Sequence, residues 1–132
     1  MRRGGATKKE RIDAGVPMPY AGQAQAIKAG DLLFLGGMMA VDKRGALAVK
    51  DFSKQMNYIL DRAEQICKKA GTSLTNVVRV QQFHTDLGDF KAAWKAWDAR
   101  LPGCYLPYSA TETPALAVPG ALVMLDLWVY AP

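Results

Sequence analysis

The sequence predicts an α+β domain, a two-layer sandwich of one mixed sheet with both helices on one face. Three observations carry this. Residues 52–70 and 89–101 repeat apolar side chains at three- and four-residue steps, the period of a helix. Short apolar or alternating runs, bounded by glycine, proline and aspartate, flank those stretches. Each helix stands between two such runs, at a length that suits a right-handed crossover. The resulting order is β-β-β-α-β-α-β-β. The 132 residues suit one domain, and 50% hydrophobic with 22% charged content is ordinary for a globular chain.

Residues 1–15 are polar and broken by Gly4, Gly5 and Gly15, so they read as a flexible basic tail preceding a domain over 16–132. Two prolines make 16–22 an extended approach. Residues 23–29 and the apolar run from Leu32, split by Gly30-Asp31, predict a hairpin that continues past Gly36-Gly37 to Val41 through a glycine bulge. A short strand follows at Ala46–Val49. Phe52, Met56, Ile59, Leu60, Ala63, Ile66 and Cys67 then form one helical stripe, with Asp51 or Ser53 as cap and Gly71 as terminator. Cys67 on that stripe reads as core.

Leu74–Asp86 predicts a long strand. By simple alternation Val78, Val80, Gln82 and His84 share one face and Arg79, Gln81 and Phe83 the other, so both faces are mixed. The second helix carries Phe90, Trp94, Trp97 and Leu101 on its stripe, which makes both tryptophans core anchors; Asp86 or Asp89 caps it. Tyr105–Ala131 closes the chain as two extended runs joined by Ala-Val-Pro-Gly, read as a hairpin. Its last run is almost wholly apolar, with Asp126 set in it. No helix remains to cover the second sheet face, and the apolar last strand suggests that another subunit does so.

The net charge of +5 is concentrated at the N-terminus. Residues 1–11 hold Arg2, Arg3, Lys8, Lys9 and Arg11 against the single acid Glu10, so the domain is nearly neutral. It carries no basic patch of the kind nucleic acid requires, and a nucleic-acid partner is disfavoured. No apolar run is long enough to span a membrane, and no export signal follows Arg2-Arg3, so the cytoplasm is the expected location. Two cysteines make no disulfide framework. One histidine and no ligand-spaced cluster argue against a metal, and no phosphate loop is present, so no cofactor is expected.

Four stretches together resemble the RidA/YjgF family, the reactive-intermediate deaminases also described as L-PSP endoribonucleases. They are AQAIKAGDLLFLGG (24–37), AGTSLTNVVRV (70–80), DLGDF (86–90) and PGALVMLD (119–126). The resemblance covers about residues 16–130. It implies a chorismate-mutase-like fold, a homotrimer, and a small-molecule substrate in a cleft between subunits. Active members hydrolyse enamines and imines such as 2-aminoacrylate to a keto acid and ammonia. An arginine there grips the substrate carboxylate, and a glutamate in the last strand handles the water.

This sequence departs at those positions. Ser109 stands in place of the arginine, Met124 in place of the glutamate, Thr111 in place of a frequent cysteine, Gly36 in place of the usual serine and Trp94 in place of a common asparagine. A serine does not hold a carboxylate as a guanidinium does, and methionine moves no proton. The loss of arginine implies a substrate that is less anionic or held by another group. On strand alternation Ser109 and Thr111 share a face, as do Met124 and Asp126. Asp126 is then the candidate acid, set against a purely structural role, and His84 is a second candidate, set against a satisfied strand histidine. Ser109, Thr111, Tyr108, Tyr20, Gly36, Trp94 and Met124 complete the expected ligand site. The expected function is hydrolysis of a specialised enamine or imine intermediate, with a non-catalytic small-molecule-binding or regulatory trimer as the alternative. A ribonuclease reading would rest on the family label and the basic tail.

Overall fold

The computed structural model describes residues 8–103 and 106–132. Residues 1–7 of the expected tail, and Tyr105 at the start of the expected closing hairpin, lie outside the described residues. The strands are β1 (Lys9–Ile12), β2 (Ala26–Ala29), β3 (Leu32–Met38), β4 (Val77–His84), β5 (Tyr108–Glu112) and β6 (Val123–Tyr130). The helices are α1 (Phe52–Lys69), between β3 and β4, and α2 (Phe90–Arg100), between β4 and β5. All six strands join one sheet in the order β1-β2-β3-β6-β4-β5.

The element string matches the expected one, but two of its members differ. The first strand is β1, within the segment read as tail. Lys9–Ile12 pairs antiparallel with β2, and Ile12 buries its side chain in the core. The basic composition concealed a strand whose outward residues are solvated. The run expected as a strand at Ala46–Val49 forms only a single bridge, Val41 to Leu47.

The second correction concerns the chain's end. The last two strands are not a hairpin. β5 pairs parallel with β4, and β6 lies between β3 and β4, antiparallel to both. The Ala-Val-Pro-Gly segment is therefore part of a crossing loop. The chain passes from the sheet edge, over β4, to the sheet centre. This leaves the two segments with the most informative residues one strand apart.

Alternation along β6 positions the core. Val123, Leu125, Leu127 and Val129 are buried against the stripe of α1 (Met56, Ile59, Leu60, Ala63, Ile66) and against Ala93 and Trp97 of α2. Asp51 caps α1 by accepting from Lys54 N, Gly71 ends it at φ +81°, and Lys68 and Lys69 oppose its dipole. Cys67 is buried as expected, and desolvation pushes its thiol up to about 12, which leaves it unreactive. Asp86 caps a short 3-10 turn ahead of α2, while Asp89 makes no capping bond.

In β4 the simple alternation fails. A bulge between Val77 and Arg79 turns Val78 out to solvent, so Val77, Val80, Gln82 and His84 face the helices. That face is buried and keeps the expected mixed composition, with Gln82 and His84 beside the two valines. Trp97 is buried as expected, but Trp94 is 47% exposed. With Phe90 one turn earlier, it overhangs the sheet edge at β5 instead of entering the core.

Candidate functional site

The face of the sheet opposite the helices carries the candidate site. Strand pairing arranges its residues in cross-strand rows. One row runs Ile27, Phe34, Trp128, Arg79. The next contains Asp126, Gln81 and Ser109, and the third Met124, Phe83 and Thr111. Leu32, Phe34 and Tyr130 are exposed there, which gives this face an apolar block beside a polar one.

Ser109 and Thr111, expected together on one face, lie side by side in β5. Ser109 Oγ accepts a 2.7 Å hydrogen bond from Arg79 Nη2. The Arg79 guanidinium also lies 5.6 Å from the centre of the Trp128 ring. Met124, half-buried, packs against a small satellite core of Met39, Val41, Val118 and Ala121. Thr111 is exposed.

Asp126 reaches toward β3. Its Oδ1 accepts from Gly37 N at 2.7 Å, inside the bulge between Leu35 and Met38. A Cβ on Gly36 would meet that same oxygen at 2.9 Å, so the inward lean of Asp126 requires glycine at 36. Gly37 takes φ +64°, a left-handed backbone that glycine adopts without strain. Gln23 supports the bulge from the other side, donating from Nε2 to Gly36 O at 3.1 Å. Gln23 N in turn donates to Tyr20 O. Tyr20 itself is exposed and, with Gln23, Gln25, Lys43 and Arg44, lines a cavity of about 290 Å³.

The remaining expected site residues lie on the helix side. Tyr108 meets Phe90 and Trp94 edge-on, at 5.7 and 5.6 Å between ring centres. Its hydroxyl is buried without a partner, and burial pushes its ionisation far above the ordinary phenol value. Trp94, Trp97, Leu101, Leu106 and Tyr108 line a cavity of about 20 Å³, room for roughly one water. Thus Tyr108 and Trp94 are brought to each other, and not to Ser109 or Asp126.

His84 is fully buried, stacked on Phe52 at 5.6 Å, on the opposite side of the sheet from Asp126. It belongs to a polar chain inside the core. Trp97 Nε1 donates to Gln82 Oε1 at 2.6 Å, and Gln82 Nε2 faces His84 Nε2 at 2.8 Å. Because Gln82 uses its oxygen for Trp97, its amide must donate to the imidazole. His84 Nε2 is then an acceptor, and the ring proton sits on Nδ1. Protonating the ring would set two donors against each other.

Burial therefore lowers the His84 pKa below 6.5. The unfolded chain binds this proton more readily than the folded one, so the contribution is complete above about pH 6.5 and is lost as pH falls below it. Urea midpoints should fall between pH 7.5 and pH 5.5. A His84→Phe chain should be less stable throughout, since Gln82 loses its acceptor, and should lack that slope. Asp13 and Asp42, held below the usual carboxylate value by backbone N–H donors, act only in a more acidic window. An unchanged slope in His84→Phe would exclude His84 as its source.

The family model described as Endoribonuclease L-PSP matches residues 15–130. The chain belongs to the RidA/YjgF family. A RutC family protein of Pyrococcus horikoshii is 32% identical over 100 residues, 75% of this chain and 73% of that protein. Reactive Intermediate Deaminase A of Arabidopsis thaliana, a chloroplastic protein, is 30% identical over 99 residues, 74% of this chain and 53% of that protein. Among solved structures, RidA from the Antarctic bacterium Psychrobacter superposes with a TM-score of 0.82 at 26% identity, over 92% of this chain and 98% of that one. Yeast Mmf1, at 15% identity, gives 0.84 over 95% and 100%, a likeness of fold alone. Among the described residues no helix is long and apolar enough to cross a membrane.

Sequence reading missed Arg79 and Gln81 as site residues. Their alternation with Val80 and Gln82 was a visible signal. Their approach to Ser109 depends on the parallel pairing of β4 with β5, which the expected closing hairpin obscured.

Proposed function

We propose that this chain hydrolyses a small enamine or imine intermediate in clefts between the subunits of a homotrimer. The observation that carries the reading is the exposed sheet face, where Ser109, Thr111, Gln81 and Asp126 adjoin an apolar block of Leu32, Phe34, Trp128 and Tyr130. An apolar block of this kind suits a neighbouring copy, and the polar rows beside it would then border the cleft.

In the reaction, an enamine first tautomerises to its imine by moving the N–H proton to carbon; water oxygen then adds to the C=N carbon, both water protons pass in turn to nitrogen, and the C–N bond breaks to give a carbonyl and ammonia. Asp126 engages Gly37 through one oxygen only. The second is assigned to take the proton from water and return it to the leaving nitrogen. Ser109 and Thr111 orient the ligand as neutral groups. His84 takes no part, because it faces the core.

Light scattering should give three times the chain mass. Ammonia release should exceed the uncatalysed rate with 2-aminoacrylate formed in situ or with a neutral imine. No acceleration of either would overturn the catalytic reading for these substrates. The alternative is a trimer that binds small molecules without turning them over. It is favoured by Met124, which buries part of its side chain in the satellite core where the family places its acid. That reading predicts a thermal shift with metabolites and no ammonia.

A further inference from the structure

Gln25, Gln55 and Gln82 each use both ends of the amide within the fold. Gln25 accepts from Ala14 N and Val16 N and donates to Asp13. Gln55 ties two loops together, and Gln82 links Trp97 to His84. Gln23 differs. Its Nε2 donates to Gly36 O at 3.1 Å, while its Oε1 is buried without a partner among the described residues. That bond decides which end is which, because a carbonyl oxygen only accepts. A buried amide oxygen left unpaired costs stability, so stability does not account for a glutamine at this position.

What Gln23 holds is one peptide unit. Gly36 O and Gly37 N belong to the same trans peptide, so they point in opposite directions. The carbonyl accepts from Gln23, and the N–H donates to Asp126 Oδ1 at 2.7 Å. Gln23 and Asp126 thus grip the unit from its two sides. Glycine stands at both of its ends, so no Cβ biases its orientation. It also lies in the bulge of β3, outside the regular ladder that orients the other peptides of the strand. Turned over, it would aim its carbonyl at the Asp126 carboxylate, acceptor against acceptor. The Gln23 donor favours the other orientation, with the N–H toward Asp126. A carbonyl that accepts a hydrogen bond also strengthens the N–H of its own peptide as a donor. The backbone seats this side chain closely. Gln23 N closes a turn onto Tyr20 O with Gly22 at φ +82°, and a Cβ at Gly37 would come within 3.1 Å of Gln23 Nε2.

We infer that Gln23 is a positioning residue for the proposed chemistry. It fixes the orientation of the Gly36–Gly37 peptide and, through that peptide, the aim of Asp126. This rests on the assignment of Asp126 as the acid. Gln23 donates to Gly36 O alone and acts on the reaction through the peptide.

The test is Gln23→Met, which keeps the length of the side chain and removes both its donor and the unpaired oxygen. In this variant kcat for ammonia release should fall about tenfold with KM unchanged. The NMR signal of the Gly37 N–H should move upfield as its bond to Asp126 weakens, and relaxation dispersion should show exchange there. The urea midpoint should equal or exceed that of the wild type. Gln23→His, whose imidazole returns an N–H donor, should recover part of kcat and of the Gly37 signal. An unchanged Gly37 signal in Gln23→Met would overturn the inference. So would a loss of kcat matched by a fall in the urea midpoint, which marks a merely structural bond. The Gly37 signal is read without turnover. A wild-type chain that releases no ammonia, but whose Gly37 signal moves in Gln23→Met, overturns the catalytic reading and leaves the positioning in place. Ammonia release that Asp126→Asn abolishes and Gln23→Met leaves intact overturns this inference alone.

Discussion

Asp126→Asn should lower ammonia release at least about a hundredfold while changing stability by less than about 1 kcal/mol. The asymmetry follows from the two duties assigned to one carboxyl. One oxygen accepts from Gly37 N at 2.7 Å and holds the bulge of β3. An amide oxygen accepts that bond equally well, so the bulge survives in asparagine. The amide cannot carry a proton between water and nitrogen, so the chemistry does not. Asp126→Ala should lose both, with a stability cost of about 1–3 kcal/mol for the unpaired Gly37 N–H. Parallel measurement of turnover and urea midpoint separates the duties. Wild-type turnover in Asp126→Asn would show that the acid is a latch for the bulge and nothing more. Gly36 takes part in the same arrangement, since a side chain there would strike the oxygen that holds Gly37.

Helices were the most legible part of this chain. The stripe of α1 reports burial at nearly every position, because a helix on a sheet has one inward face and local periodicity records it. Strand membership was less legible where pairing is decided at a distance. Lys9–Ile12 has a solvated edge-strand composition, and only its partner β2 makes it a strand. The closing segments read as a hairpin because adjacent extended runs usually pair; here β4 takes both partners. For the same reason the shared face of Ser109 and Thr111 could be read from alternation, whereas the reach of Arg79 to Ser109 could not. It needs β4 and β5 parallel and in a given register. The bulge at Val77 displaced only Val78 from the expected alternation in β4; Val80, Gln82 and His84 keep their shared face, and burial of that face is what closes His84 off.

Gln55→Met should destabilise the protein by roughly 3 kcal/mol, the largest loss expected from a single polar substitution. Gln55 lies fully buried on the apolar stripe of α1, where its polarity would otherwise count against it. Its Nε2 donates to Val49 O at 3.1 Å, Lys50 O at 3.3 Å and Gly120 O at 3.2 Å. Its Oε1 accepts from Leu122 N at 2.9 Å. One side chain thus ties the loop ahead of α1 to the segment that starts β6, the strand of Met124 and Asp126. Methionine fills similar volume but leaves three carbonyls and one N–H without their partner. Denaturation should show a lower urea midpoint with an unchanged slope. Gln55→Glu provides a sharper form of the same test. Its carboxylate would face three carbonyl oxygens, so the folded chain should favour the protonated acid and raise its pKa. A folded pKa above the unfolded one means that stability is retained in acid and lost as pH rises through the folded value. Gln55→Glu should therefore approach wild-type stability near pH 4 and fall away toward pH 7, with the opposite slope to that expected from His84. A cost under about 1 kcal/mol for Gln55→Met would mean that water replaces these bonds, and that the entry to β6 is held by its own pairing with β3 and β4.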